Sequence, residues 1–260
     1  MLSLKEIEKS YPENLRPFKR FILREYLQHK ILELVFESKY AQKLCFLGGT
    51  CLRIIHNNTR FSEDLDFDTL KLSERSFGNI SEEIKKGLER EGYKVEFKIV
   101  ARGAFHCHIK FPGLLFSEGL SGYEEEKILI QLDAEPQHFK FTPETFILNK
   151  FDVFTTILTT PKDILLSQKI FASLNRKQPK GRDFFDIMFL LSMTKPNYKY
   201  LQQKVGIKNE AQLKEKLLER CKKLNMKQMA NDVKPFLFNP SDMKKVELFA
   251  DYIRQVDLNN

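Results

Sequence analysis

Between Gly48 and Asp68 the chain reads Gly-Gly-Thr-Cys-Leu-Arg-Ile-Ile-His-Asn-Asn-Thr-Arg-Phe-Ser-Glu-Asp-Leu-Asp-Phe-Asp, preceded by the apolar run Leu44 to Leu47. Few local folds accommodate this order. It reads as strand, tight turn, helix and second strand. Two glycines let a phosphate approach the backbone, and the N–H groups of a first helical turn can bind it. Asp64 and Asp66, two apart on an extended segment, point to one side, while Leu65 and Phe67 point to the other. Alone, a Gly-Gly is a turn and an Asp-x-Asp is a solvated strand end. Together they place paired carboxylates beside a phosphate cradle, an arrangement suited to Mg²⁺ and its preference for hard oxygen ligands. That chemistry is phosphoryl or nucleotidyl transfer. Thr50 adds a hydroxyl and a helix-end N–H to the phosphate grip of Gly48 and Gly49. Arg53, one turn later, can reach a phosphate or Asp64.

The rest of the composition narrows the class. At 260 residues the chain holds one large domain or two modest ones, and with 42% hydrophobic residues and 23 Phe it can build a real core. No apolar run suits a membrane span, and Met-Leu-Ser-Leu-Lys-Glu is not a signal peptide, so a cytoplasmic protein is expected. The net charge of +8 and a pI near 9.1 favour a polyanionic partner. Cys45, Cys51, Cys107 and Cys221 are scattered, without metal-site pairs or a disulfide framework. His106 and His108 alternate along one strand face with no third ligand nearby, which fits a packed or exposed face better than zinc. Neither a Walker lysine motif nor Gly-x-Gly-x-x-Gly is present.

In chain order, the spacing predicts a helix over 17–38, a strand over 43–47, a helix over 50–56 and a strand through Leu65 and Phe67. Ser73 caps a helix that stops at Gly92. Strands follow over 93–101, 105–111 and 127–133, with loops around Pro112-Gly113 and Ser121-Gly122. From Thr160 the texture is helical: Thr160-Pro161-Lys162-Asp163 begins one helix, Arg182 to Ser192 forms a second, and further helices fill 208–256. The fold class is thus α/β (α+β): a mixed sheet with flanking helices over 1–145, and a mainly helical region over 146–260 that completes the cleft.

With Arg53 and the string Arg60-Phe-Ser-Glu-Asp-Leu-Asp-Phe67, the stretch resembles the AbiEii/AbiGii toxin family of nucleotidyltransferases, found in toxin–antitoxin and phage-defence systems. The likeness covers most of residues 40–190. The superfamily usually has Ser where this chain has Thr50, which keeps the hydroxyl. The resemblance implies that Arg60 and Ser62 shape the site, although Arg60 can equally form a surface pair with Glu63. A third carboxylate from a later strand usually completes such metal sites; Asp133 is the candidate and Glu96 the runner-up. Lys169, followed by Arg182-Asp183-x-x-Asp186, looks like the family's C-terminal pair of motifs. There the lysine faces the nucleotide phosphates and the later acid supports the site. Arg182 and Asp186 can also pair on one helix face, Asp183 can pair with Lys180, and Asp186 can serve simply to lock two helices together.

The resemblance implies transfer of a nucleotide from an NTP to an acceptor, with Asp64, Asp66 and Asp133 holding Mg²⁺, or Mn²⁺ in its place. The implied acceptor is the 3′ end of tRNA, and the implied partner a cognate antitoxin. An enzyme acting on a protein or small molecule, or a binding protein that keeps the fold without catalysis, are the competing readings.

Overall fold

The alternation through Phe105–Phe111 and Lys127–Asp133 builds the middle of a mixed sheet. The computed structural model describes residues 1–102 and 104–259. It divides into two units, Met1–His56 with Phe61–Thr159, and Asn57–Arg60 with Thr160–Asn260.

The first unit opens with helices α1 (Leu4–Lys9) and α2 (Lys19–Phe36). Strand β1 (Leu44–Leu47) runs directly into α3 (Gly48–His56), followed by β2 (Leu65–Thr69), α4 (Glu74–Arg90), β3 (Glu96–Arg102) and β4 (Ala104–Phe111). The short α5 (Leu114–Ser117) precedes β5 (Ile128–Glu135), β6 (Glu144–Lys150) and β7 (Val153–Thr159). Among the described residues the sheet has seven strands in the order β3-β4-β5-β2-β1-β7-β6. Strands β2 and β5 are parallel, as are β1 and β7, and the other neighbours are antiparallel.

Strand alternation sorts the middle of the sheet into two chemically different faces. Phe46, Phe67, Leu132, Ala134, Cys107 and Ile109 lie on the buried apolar face. Helix α4 packs there through Phe77, Ile80, Ile84 and Leu88, with Phe77 stacked on Phe105 at 5.2 Å. Phe36 of α2 lies 6.2 Å from Phe67. Each such side chain, fully buried, contributes about 1.5–3 kcal/mol. The opposite face carries Asp66, Asp133, His106 and His108.

Helix α2 differs from a simple amphipathic helix. Besides Ile22, Tyr26, Leu27 and Ile31, it buries Glu25, Gln28, His29 and Lys30. The expected strands stop at Asp133, yet the β-branched and aromatic runs over 145–148 and 153–159 form β6 and β7, a hairpin closed by Phe151 and Asp152. Its turn has no Asn-Gly or Asp-Gly signature. Phe151 takes φ +60° and is wedged edge-on against Tyr26 and His29, so packing by α2 sets the turn.

The second unit contains α6 (Lys162–Asn175), α7 (Gly181–Leu191), α8 (Tyr198–Val205), α9 (Glu210–Lys222) and α10 (Met226–Val233), then α11 (Lys244–Glu247) and α12 (Phe249–Gln255). Leu165, Leu166, Ile170, Phe184, Ile187, Leu213 and Phe249 form its core. Asn197, Asn209 and Asn225 cap α8, α9 and α10, accepting from Tyr200, Gln212 and Gln228 N–H at 2.9, 3.0 and 3.1 Å. Pro161 occupies the cap of α6 rather than its first turn, and Thr160 is buried. Among the described residues no helix is long and apolar enough to cross a membrane.

Helices α7 and α10 meet at Gly181, whose N–H donates to Asp232 at 2.8 Å. A Cβ there would lie 1.8 Å from the Met229 carbonyl oxygen, a backbone atom that cannot rotate away. Helix propensity favours alanine by about 1 kcal/mol, and overpacking costs about 1–3 kcal/mol. Gly181→Ala is therefore expected to lower the unfolding free energy by about 2 kcal/mol in urea titration. An unchanged or higher midpoint would show that α10 yields instead.

Candidate active site

The site is built where β1 turns into α3. Gly48 takes φ +81°, a left-handed conformation that costs an L side chain. Its bare Cα also faces Asp66: a Cβ on Gly48 would lie 2.1 Å from Asp66 Oδ2. The glycine thus lets the acid lie against the turn, and the register of β1 with β2 sets Leu47 directly opposite Asp66. The first N–H groups of α3, those of Gly48, Gly49 and Thr50, lie in the turn where a helix leaves its donors without intrahelical acceptors.

Thr50 is fully buried, and its hydroxyl donates to the Asp64 carbonyl. That bond ties the turn to the acid-bearing segment. Asp64 and Asp66 are half-buried. Asp68, further along β2, is buried and accepts from Gln137 N–H at 2.9 Å.

Asp133 stands opposite Asp66 in the parallel register of β2 and β5, on the same face. Neighbouring strands lie about 4.8 Å apart, so the two acids are close in the sheet. Asp133 is braced by His106 Nδ1 at 2.7 Å and by Gln131 Nε2 at 2.9 Å from each carboxylate oxygen. His106 and Gln131 escape a motif-based reading. Their only sequence signal is position: Gln131 shares a strand face with Asp133, and His106 alternates with buried Cys107. Glu96 does not belong here. It pairs in register with Lys110, whose β5 partner Leu129 is four residues from Asp133, about 13 Å along the strand. Its carboxylate is held by Lys127 at 2.7 Å.

Both motif arginines hold buried carboxylates. Arg53 Nε donates to Glu25 at 2.8 Å, fastening α3 onto α2. Glu25, 3% exposed, also takes Lys150 at 2.8 Å and the Tyr11 hydroxyl at 2.8 Å. Burial alone would raise the Glu25 carboxyl, but the charges of Arg53 and Lys150 hold it down at about 2. Arg60 is no surface partner of Glu63. It is 2% exposed and forks onto Asp186, with Nε–Oδ1 at 2.7 Å and Nη2–Oδ2 at 2.6 Å. Glu63 pairs with Arg24 at 3.1 Å. Ser62 offers its carbonyl to Gln28 Nε2 at 3.2 Å.

Within the second unit, Asp186 is a hub. It is fully buried and receives Asn58 Nδ2 at 2.9 Å as well as Arg60. Lys169 Nζ lies 2.9 Å from Asp186 and 3.5 Å from Asp183. Asp183 meets Arg176 at 3.1 Å rather than the expected Lys180. Arg182 lies over the Phe236 ring at 4.7 Å. The Asp186 carboxyl is pushed up by burial, yet Arg60 and Lys169 more than offset this and hold it at about 2. The segment 57–60 is further pinned by Thr59, whose carbonyl accepts Phe238 N–H at 3.1 Å.

The donor chemistry around Gly48 is of the kind a hard divalent cation takes: carboxylate oxygens of Asp64 and Asp66, the latter packed against the turn. Among the described residues no three His, Cys, Asp or Glu side chains converge as a ready cage, so Asp64, Asp66 and Asp133 do not form one by themselves. Mg²⁺ does not require that, since it commonly binds one or two carboxylates and completes its shell with substrate phosphates and water.

Comparison with known proteins agrees with this geometry. A family profile described as "Nucleotidyl transferase AbiEii toxin, Type IV TA system" matches residues 30–252. Among solved structures, the chain is similar to JHP933 from Helicobacter pylori, with 16% identity, TM-score 0.55, and 91% of this chain and 92% of that one covered. It is also similar to an H. pylori structure assigned as a nucleotidyltransferase, with 15% identity, TM-score 0.56, and coverage of 91% and 95%. At these identities the likeness is one of fold. No curated protein matches the chain in sequence.

A carboxylate buried between two cations has a distinct stability signature. Asp186→Asn leaves Arg60 buried without its counter-charge and Lys169 with Asp183 alone, and is expected to cost about 3–5 kcal/mol. A residue that only touched ligand would cost under about 0.5 kcal/mol. Because its carboxyl is depressed when folded, Asp186 stabilises fully above its unfolded value, near 4, and loses that contribution as pH falls toward 2. Acid unfolding of the wild type should therefore be steeper over this range than that of Asp186→Asn. Equal slopes would show that Asp186 is not the charged hub.

Proposed function

The chain belongs to the AbiEii family of nucleotidyl transferase toxins, and from that premise we propose that it transfers the nucleotide of an NTP to the 3′ end of tRNA. The observation that carries the reading is the left-handed Gly48 turn packed against the Asp66 carboxylate. The first-turn N–H groups of α3 take phosphate oxygens, and Gly48 lets the Asp66 carboxylate lie beside them. Asp64 and Asp66 supply hard oxygens for Mg²⁺, or for Mn²⁺. Such an ion, when bound, offsets the phosphate charge and activates the acceptor hydroxyl. Asp133, opposite Asp66 and braced by His106 and Gln131, completes the acidic set. Lys169 and Asp186 act from within the second unit, as the buried pair that holds Asn58 and Arg60. Arg53 and Ser62 act alongside them by fixing the backbone on either side of the site.

Transfer to tRNA is supported by the family and by the net charge of +8, which suits a polyanionic acceptor. A type IV toxin–antitoxin system also supports a cognate antitoxin that counters the activity in the cell.

The test is incubation with each α-labelled NTP, total RNA and Mg²⁺. Label is expected in tRNA, to be lost on chelation and in Asp66→Asn. Gly48→Ala, which displaces the Asp66 carboxylate, should lower the rate by about a hundredfold while far-UV circular dichroism is retained. Label on protein or on a small molecule would move the activity to another acceptor. Full activity in Asp66→Asn would overturn the site itself.

A further inference from the structure

The chain's charge is divided unevenly. Residues 57–60 and 160–260 carry 21 Lys and Arg against 11 Asp and Glu, while the first unit carries 22 against 24. The whole of the +8 excess therefore resides in the helical unit, away from the residues of the Gly48 turn in sequence.

Within that unit the cations gather around a cavity of about 350 Å³ between α6, α8 and α9. Lys204, Lys216, Arg220 and Lys223 line it against one acid, Glu219, over an apolar floor that includes Ile207. The cavity of about 730 Å³ in the first unit makes a contrast, since Glu37, Glu83 and Glu89 there outnumber Lys86 and Arg90. Arg220 is built in rather than loose. Its Nε donates to the Ser173 carbonyl at 3.0 Å and its Nη2 to the Arg176 carbonyl at 2.7 Å, so the guanidinium is locked onto the C-terminal end of α6. Among the described residues Nη1 donates to nothing, and Lys223 has no ion-pair partner. Lys216 meets Glu219 only at 3.5 Å, with its side chain 56% exposed. A fixed guanidinium with Nη1 open, beside the exposed ammonium groups of Lys216 and Lys223, suits phosphate oxygens, with the lysines as point charges.

We propose that this cavity of the helical unit is a docking site for the phosphate backbone of an RNA, separate from the residues that carry the chemistry. The proposal rests on the reading that the acceptor is RNA and names where the chain grips it. Several phosphates neutralised at one place give affinity that falls with salt, by a slope of roughly 0.7–0.9 per phosphate contact.

The experiment measures binding of 5′-labelled tRNA to the full chain by fluorescence anisotropy across a NaCl series. It compares wild type, Lys216→Glu/Lys223→Glu, and Lys199→Glu/Lys244→Glu, which carries the same charge change at exposed positions outside the cavity. The cavity variant is expected to bind at least tenfold more weakly, with a salt slope smaller by about two. Its thermal midpoint and its KM for NTP should be unchanged. The second variant should lose much less. Equal losses in both variants would overturn the cavity, leaving only diffuse attraction. Undiminished binding by a folded cavity variant, with label still transferred to tRNA, would overturn the docking site and spare the acceptor. Salt-dependent binding lost in the cavity variant, with no transfer of label to RNA by the wild type, would uphold the docking site and sink the acceptor. No tRNA binding by the wild type would overturn the docking site.

Discussion

The active region depends on one close approach, that of the Asp66 carboxylate to the bare Cα of Gly48. A Cβ at that point would lie 2.1 Å from Oδ2, so no other residue can stand there while the acid keeps its place. The same glycine holds φ +81°, which lets β1 enter α3 without a linker. Two demands, one of backbone conformation and one of volume, thus fall on one residue. Either could be met elsewhere by a loop of several residues, but a longer loop would move the first N–H groups of α3 away from the acid. Directness of the strand-to-helix turn is what keeps the positive end of the helix and the carboxylate in one place.

Two buried carboxylates each hold one motif arginine, one pair in each unit. Glu25 grips Arg53 on α3, and Asp186 grips Arg60 just ahead of β2. Both carboxyls are held at about 2 by their cationic neighbours, so both pairs persist through the physiological range. Removing a partner from such a pair costs more than the pair itself contributes, because a lone buried charge remains. Arg53 therefore fixes α3 within the first unit, and Arg60 fixes the segment 57–60 within the second. An arginine four residues before an Asp-x-Asp invites the idea of phosphate contact, yet at 2% exposure Arg60 serves as an internal brace.

How much of this was legible follows from what kind of signal each residue carries. Helix α4 was readable at both ends, since Ser73 accepts from Ser76 N–H as a cap and Gly92 sits at φ +92° beyond its last turn. The acids were readable because alternation along β2 is a local property of the chain. The strands β6 and β7 carry a comparable local signal over 145–148 and 153–159, but their turn does not, because it is stabilised by contact of Phe151 with α2, more than a hundred residues earlier. The brace on Asp133 was equally hidden. Strand register, set by pairing across the whole sheet, is what brings His106 opposite it, and no spacing within the sequence encodes that neighbour. Lys169 and Asp186 could be picked out from their motif, but their mutual contact at 2.9 Å and the capture of Asn58 depend on tertiary packing.

Charge separation between the units has a physical logic of its own. A site that gathers carboxylates to hold a cation is a poor place to attract a polyanion, since acids that favour the ion repel each approaching phosphate. Concentrating lysine and arginine near the acids would relieve that repulsion, but would also compete with the cation for the same carboxylate oxygens. The excess of basic residues belongs to the helical unit, and the first unit carries a small excess of acids. In a chain so divided, the local chemistry can stay acidic while the molecule as a whole remains basic.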